Sequence, residues 1–344
     1  MKHIVECVPN FSEGRDAKTI EAIAQSIRAV DRVKLLNIEP DKDYNRTVVT
    51  FVGEPDAVME AAYQATKAAA YHIDMRSHKG EHPRIGAVDV VPFVPVANIT
   101  MDECVKLANA YGRRVSADLK IPIYLYEYAA ATPDRRNLAT IRKGEYEGLE
   151  KKLQDPAWKP DYGNAEFNPK SGATVAGARK FLIAYNVNLN TPDASIAQEI
   201  ALRIRESGRP LKNAAGEVVK NEKGESVKVP GALKAVKAMG VFLERSHIAQ
   251  VSINLVDYET TGPHTAYEEV KKQALSLGCD ATGSEIVGLT PMNALLIAGR
   301  HFMTADGTKK GLSEKALVEL AVDKLGLSQL EPFDPGKKII EYML

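Results

Sequence analysis

Hydrophobic residues in the first part of the chain follow two patterns, one with helical spacing and one of short uninterrupted runs. In residues 17–29, Ile20, Ile23, Ala24 and Ile27 fall on one face of a helix. These patterns predict strands at 4–8, 33–38, 47–52, 88–94 and 123–128, and helices at 17–29, 55–71 and 101–119. Strands and helices in this order are typical of helices packed against a mixed sheet.

The pattern changes in residues 129–175. Pro133, Pro156, Pro160 and Pro169 interrupt this segment, which predicts only a short helix near 145–153. A loop-rich stretch this long inside a globular chain is usually a functional segment or a linker.

The second half of the chain repeats the order of the first. Strands are predicted at 181–189, 241–243, 248–256 and 282–287, and helices at 193–206 and 264–277. The second half then reads β-α-β-β-α-β, and the first half reads the same with a further helix and strand at 101–119 and 123–128. We therefore predict an α/β (α+β) fold of two ferredoxin-like βαββαβ lobes with a ligand cleft between them. A polar hairpin at 216–229, a helix at 314–325 and an extension at 332–344 are predicted as peripheral additions.

Composition narrows the class of protein. The 344 residues are 44% hydrophobic and 26% charged, as in soluble globular proteins. Lys+Arg and Asp+Glu are equal at 45 each, so the charge balance indicates no nucleic-acid partner. No apolar run is long enough for a membrane helix, and the first residues lack an apolar leader. The three cysteines form no CxxC pair. We expect a cytoplasmic protein without a membrane partner.

Three of the seven histidines, His72, His78 and His82, lie close together. His78 and His82 have the i, i+4 spacing of two zinc ligands on a helix. Gly80 and Pro83 disfavour a helix there, so we expect a loop and no metal. A histidine in that loop could serve as an acid–base group near neutral pH, or simply as a hydrogen-bonded surface residue. The spacing alone leaves both interpretations open.

Two further segments carry candidate binding groups. Arg46 starts a strand, and Arg46, Arg76 or Arg84 could pair with a substrate carboxylate or form ordinary surface ion pairs. The second segment combines glycines with a phenylalanine and a proline, which suits close approach to a flat ligand or a flexible loop. Its residues are Gly163, Asn164, Ala165, Glu166, Phe167, Asn168, Pro169, Lys170, Ser171 and Gly172.

Long stretches of the chain resemble the formiminotransferase family. The strongest is HKGEHPRIGAVD at 78–89. Further stretches are VECVPNFSEG at 5–14, NRTV at 45–48, MDEC at 101–104, GATV at 172–175, GARKFLIA at 177–184 and AQVS at 249–252. The resemblance extends from the N-terminus to about residue 325.

The resemblance implies transfer of a formimino group from N-formimino-L-glutamate to N5 of tetrahydrofolate, a one-carbon step of histidine degradation. It places the catalytic histidine at His82 and the folate-contacting loop at 163–172. Glu39 falls where the family pattern leads us to expect an aspartate. Tetrahydrofolate is then a co-substrate and no metal is implied, while Glu39, Arg46 and Arg84 are candidates for positioning the substrates.

The resemblance also implies an organisation. It predicts an N-terminal formiminotransferase subdomain at 1–178, a C-terminal one at 179–326 and an extension at 327–344, in a homodimer. A separate cyclodeaminase would consume the product. Two other classes remain open at this point: a metal-dependent hydrolase of a related imidate and a folate-binding module without catalysis.

Overall fold

A computed structural model describes residues 3–222, 224–305 and 311–343. Residue 223 of the predicted hairpin and residue 344 of the predicted extension lie outside them. The chain divides into two compact units, 1–180 and 181–344. No helix in the described part of the chain is long and apolar enough to cross a membrane.

The first unit contains seven strands and five α-helices among its described residues. They are β1 (Ile4–Cys7), β2 (Asn10–Phe11), α1 (Ala17–Arg28), β3 (Val33–Asp41), β4 (Arg46–Gly53), α2 (Pro55–His72), β5 (Val88–Ala97), α3 (Met101–Leu119), β6 (Ile123–Glu127), α4 (Leu138–Arg142), α5 (Leu149–Leu153) and β7 (Thr174–Ala178). The helix start signals are local. For example, Thr100 and Glu103 form a reciprocal capping box at the start of α3.

The sheet of the first unit is a ferredoxin-like sheet with an extension. β5, β1, β4 and β3 lie side by side and antiparallel, the order expected for a βαββαβ unit. β7 adds to β5 in parallel, and β6 adds to β7 in parallel. The predicted lobe is confirmed, but β7 was missed. Its sequence, TVAGA, is rich in small residues, whose strand propensity is low, although all five are buried.

Two hydrophobic clusters lie on opposite faces of this sheet. Val91 of β5 belongs to the cluster beneath α1, α2 and α3, which also contains Phe51 and Tyr111. The adjacent Val90 belongs to a smaller cluster with residues of α4 and α5, including Ile141. Successive side chains in a strand point to opposite faces, so the segment after β6 covers the second face of the sheet at β5, β6 and β7.

The second unit is also ferredoxin-like. Its elements are β8 (Ile183–Leu189), α6 (Ala194–Ile204), β9 (Arg209–Pro210), β10 (Lys228–Val229), β11 (Val236–Leu243), β12 (Ile248–Leu255), α7 (Pro263–Ser276), β13 (Ala281–Val287), α8 (Met292–Ala305), α9 (Glu314–Lys324), α10 (Pro335–Lys338) and α11 (Ile340–Met343). The sheet order is β11-β12-β8-β13, and all neighbours are antiparallel.

Among the longer elements of the second unit, β11 and α8 differ from their prediction. β11 is longer than the strand predicted at 241–243 because it pairs with β12 along its whole length. α8 was not predicted. Its run NALLIAG is almost continuously apolar, and such a run does not distinguish a buried helix from a strand.

Burial predicts different effects of the same substitution at two leucines of the second unit. Leu255 of β12 is fully buried, whereas Leu275 of α7 is 59% exposed. Leu255→Ala should lower the free energy of unfolding by about 2–5 kcal/mol, because it removes buried methyl groups and leaves a cavity. Leu275→Ala should change it by less than about 0.5 kcal/mol. Urea unfolding followed by circular dichroism measures both, and equal effects would contradict the assigned burial.

Candidate active site

The loop that carries His82 joins α2 to β5 and is fixed by the turn between β3 and β4. In that turn Asn45 has a left-handed backbone (φ 47°). Its side chain donates to the carbonyl of Lys79 (3.0 Å) and accepts from the backbone N–H of Gly14 (2.9 Å). A Cβ atom on Gly80 would lie 2.3 Å from the carbonyl oxygen of Tyr44, so only glycine permits this close approach.

Hydrogen bonds of His78 and Arg84 also hold this loop in place. Arg84 Nε donates to His78 Nδ1 (3.2 Å), so the proton of the neutral ring is on Nε2, 3.0 Å from the carbonyl of Asn45. The Arg84 guanidinium also pairs with Glu147 (2.5 and 2.8 Å) and Glu145 (3.0 Å), and its side chain is 5% exposed. Arg84 therefore joins the loop to the segment after α4, and these contacts engage all three nitrogens of its guanidinium.

His82 is half-buried, and its ring faces Arg46. The distance from His82 Nε2 to Arg46 Nη1 is 3.0 Å, and the Tyr44 ring lies 6.0 Å away. Because a guanidinium can only donate, Nε2 accepts, and the proton of the neutral imidazole is on Nδ1. Burial, followed by the positive charges of Arg46, Arg142 and Arg84, lowers the pKa of His82 to about 3. His82 is thus neutral near pH 7, and its basic lone pair is already engaged.

Arg46 is held on the sheet by its neighbour strand. Its Nη1 also donates to Asn10 Oδ1 (2.9 Å), which is in reach because Asn10 of β2 pairs with Val48 of β4. Its Nε is buried and has no hydrogen-bond partner among the described residues. Burial lowers the pKa of Arg46, and the charge of Arg142 adds to this effect. Asn10 lies in the stretch VECVPNFSEG that resembles the family, but nothing in its spacing predicted this contact.

Arg142, at the end of α4, is a second arginine near His82 that the sequence did not indicate. Its Nε and Nη2 both donate to Asp89 Oδ2, the former at 3.0 Å. Asp89 is 1% exposed, and its Oδ1 accepts from the backbone N–H of Ile85 (3.0 Å). Arg142 lies in the loop-rich segment and matches no motif, so only its position in the fold shows its place in the site.

Glu39 lies in the same region of the sheet. It pairs with Val48, which in turn pairs with Asn10, so these three residues form one row across β3, β4 and β2. Residues opposite each other share a face, and Arg46 shares it because it is two positions from Val48. Glu39 is exposed and accepts from Asn37 Nδ2 (2.6 Å).

The 163–172 loop is fixed at one end and exposed at the other. Gly172 has a φ of 65°, and a Cβ there would lie 2.2 Å from the carbonyl oxygen of Ile85. The Phe167 ring lies 5.6 Å from that of Tyr146, whose hydroxyl donates to the carbonyl of Pro169 (2.5 Å). Positions 163–166 are exposed. The anchored half of the loop thus lies against the segment that leads from His82 into β5.

The loop also forms one wall of a pocket. Asn168, Lys170 and Ser171 line a cavity of about 560 Å³ together with residues of α2, among them Tyr71. Lys170 Nζ donates to the carbonyl of Tyr71 (2.7 Å) and lies 5.6 Å from its ring centroid. Across the described ranges, no group of three or more His, Cys, Asp or Glu residues is arranged to hold a metal ion.

A neutral histidine among arginines, on a sheet face beside a glycine-bracketed loop, is suited to proton transfer on an anionic substrate. Comparisons with known proteins specify the class. Residues 4–179 match the formiminotransferase domain, N-terminal subdomain, and residues 184–344 match the formiminotransferase domain. The chain belongs to the formiminotransferase family, as its motifs indicated.

Individual relatives agree with this assignment. Glutamate formimidoyltransferase of Streptococcus pyogenes serotype M1 is 41% identical over 89% of this chain and 95% of its own length. Glutamate formimidoyltransferase of Thermoplasma acidophilum is 43% identical over 90% of this chain and 95% of its own length. Formimidoyltransferase-cyclodeaminase of Dictyostelium discoideum is 49% identical over the whole chain, which spans 61% of that relative.

The lowered pKa of His82 predicts an acid sensitivity of the fold. An exposed histidine in the unfolded chain titrates near pH 6.5, as a rough reference, whereas the pKa of His82 in the folded protein is about 3. Between these values the unfolded state binds a proton that the folded state does not, so stability decreases as the pH falls through this window. His82→Gln should therefore lose less stability than the parent between about pH 7 and pH 5. Urea midpoints measure this difference, and identical losses would show that the pKa of His82 is not lowered.

Proposed function

We propose that this protein transfers the formimino group of N-formimino-L-glutamate to N5 of tetrahydrofolate, giving 5-formimidoyltetrahydrofolate and L-glutamate in histidine degradation. The observation that carries the proposal is the match to two relatives named glutamate formimidoyltransferase, each covered over 95% of its length. Other relatives are named formimidoyltransferase-cyclodeaminase. This chain spans about three-fifths of their length, 61% of one and 60% of another. Tetrahydrofolate acts as a co-substrate.

The proposed reaction exchanges one nitrogen for another at the formimino carbon. N5 attacks that carbon and forms the new C–N bond, giving a tetrahedral intermediate. His82 Nε2 takes the proton from N5 and returns it to the glutamate nitrogen, whose bond to carbon then breaks. One imidazole can do both, because a ring that takes a proton at Nε2 can return it from the same nitrogen.

Positioning supplies much of the remaining rate enhancement, since two substrates have to meet in one geometry. We propose that the 163–172 loop binds the folate, with Gly163 and Gly172 giving its backbone the conformation for close approach. Arg84 positions His82 indirectly, through the loop contacts described above. Glu39 shares the sheet face of Arg46 and is proposed to orient substrate there.

The assembly and location of the protein are also proposals. The family resemblance supports a homodimer, and the unpaired cysteines support a location in the reducing cytoplasm. Relatives named formimidoyltransferase-cyclodeaminase extend beyond the matched region, which supports a cyclodeaminase as the consumer of the product.

The activity is tested directly by incubating the protein with N-formimino-L-glutamate and tetrahydrofolate and then acidifying the mixture. We expect the absorbance of methenyltetrahydrofolate to appear in proportion to enzyme concentration. Absence of the chromophore, with folate binding intact, would instead support a binding module. Activity that disappears after chelation and returns with a divalent metal would support the metal-dependent class.

Replacement of His82 tests its catalytic role. His82→Ala should fold and bind folate but lose about 10²- to 10⁴-fold in kcat, the usual contribution of a general acid–base group. His3→Ala, at an exposed histidine outside the helices and strands, is the matched control and should keep full activity. A kcat near that of the parent in His82→Ala would remove His82 from the mechanism.

Phe167 tests the assignment of the folate loop. Phe167→Ala should raise KM for tetrahydrofolate roughly tenfold, because an aromatic contact with the ligand contributes about 0.5–1.5 kcal/mol beyond its buried area. KM for formiminoglutamate should change much less. Phe242→Ala in β11, at a partly exposed phenylalanine of the second unit, is the control. Equal changes in both KM values for Phe167→Ala would contradict a folate-specific role.

A further inference from the structure

One of the three arginines around His82 has no carboxylate partner among the described residues. Arg84 is paired with two glutamates, and Arg142 is paired with Asp89. Arg46 is half-buried, yet no carboxylate among the described residues forms an ion pair with it. A buried ionic group without a counterion is costly unless a ligand supplies the missing charge.

The unused donors of the two arginines favour one kind of ligand. Arg46 Nε is buried without a partner among the described residues. Arg142 donates to Asp89 through Nε and Nη2, so its Nη1 takes no part in that ion pair. Planar guanidinium groups bind carboxylates through paired N–H groups. Arg46 thus lacks a carboxylate partner in the described part of the chain, and the two arginines offer donors suited to one.

A ligand bound to Arg46 would also lie near His82, because Arg46 contacts His82 directly. Arg46 Nη1 now donates to His82 Nε2 at 3.0 Å and to Asn10 Oδ1 at 2.9 Å. An incoming carboxylate is a much stronger acceptor than a neutral imidazole for the Arg46 N–H that points to His82 Nε2. Once that N–H donates to the carboxylate, the lone pair of His82 Nε2 becomes available.

We propose that Arg46 and Arg142 bind a carboxylate of the amino-acid substrate, and that this carboxylate draws Arg46 away from His82 and thereby makes His82 basic. The inference rests on the proposed function, since the carboxylate is that of formiminoglutamate or of the product glutamate. It adds Arg142 as a substrate-binding residue. It also makes amino-acid binding the event that prepares His82 for proton transfer.

The charges that face His82 support this coupling. They are Arg46 from β4, Arg142 from α4 and Arg84 from its own loop, opposed by Asp41 from β3, with the Tyr44 ring alongside. Arg84 and Arg142 are paired with Glu145, Glu147 and Asp89, but the three arginines together with burial still disfavour a protonated imidazole. A bound carboxylate offsets part of this field, and the pKa of His82 rises.

The test is ¹⁵N NMR of histidine-labelled protein, with and without saturating L-glutamate, using His82→Gln to assign the His82 signals. Free protein should show neutral His82 with the proton on Nδ1. With glutamate bound, the proton affinity of His82 should increase roughly tenfold or more. Calorimetry on the same samples reports glutamate binding itself.

Two substitutions separate the charge of Arg46 from its geometry. Arg46→Gln should raise the pKa of His82 in the free protein and weaken glutamate binding by roughly ten- to a hundredfold, and glutamate should no longer shift His82. Arg46→Lys should keep the low pKa of His82 in the free protein but bind glutamate less tightly, because lysine lacks the paired donors. Arg245→Gln, at an exposed arginine in the turn after β11, is the control and should behave as the parent.

Each failure has its own signature. Glutamate that binds the parent without changing the His82 signals would overturn the coupling, and unchanged affinity in Arg46→Gln would overturn the carboxylate site. If the parent neither binds glutamate nor forms formimidoyltetrahydrofolate, the proposed function fails and the inference falls with it. Turnover by the parent together with an unresponsive His82 would overturn the inference alone.

Discussion

The contact between Arg46 and His82 is the interaction on which the site depends. It places a half-buried positive charge 3.0 Å from the nitrogen that has to accept a proton in the proposed reaction. Together with burial, it keeps His82 neutral far below neutral pH. A neutral imidazole is the form that accepts a proton, but in the free protein the same environment weakens His82 as a base and occupies its lone pair.

Contacts from several segments of the first unit hold Arg46 and His82 in place. β4 carries Arg46 and pairs with β2, so that Asn10 can fix the guanidinium from the other side. Asn45 and Gly80 hold the histidine loop against the β3–β4 turn. Arg84 fastens the loop to the segment after α4. His82 is therefore set by the packing of three separate segments rather than by a regular element, which is how a loop residue can be held in a defined orientation.

The sequence predicted the framework of the fold well, because it is built from amphipathic helices and apolar strands with clear periods. Both βαββαβ lobes are present. The sequence predicted neither β7 nor α8. A short strand of small residues and a continuously apolar helix both lack the alternation of polar and apolar positions from which periodicity is recognised.

The site was predictable in part. His82 and Arg46 were identified as candidates, but the sequence could not show that they touch, because 36 residues separate them in the chain. Arg84 was a candidate for carboxylate binding, and the structure shows its donors committed to Glu145, Glu147 and His78. Arg142 could not be found from spacing, since the register of the sheet and the path of the 129–173 segment bring it beside Asp89.

The central claim, that His82 carries the proton in formimino transfer, is tested most directly by single-turnover rates measured against pH with both substrates saturating. The account predicts that the parent loses rate as the pH falls, along an acid limb that is missing in His82→Ala, because protonated His82 cannot accept the proton of N5. Titration of the substrates themselves would appear in both proteins. The same pH profile in parent and variant would contradict the account.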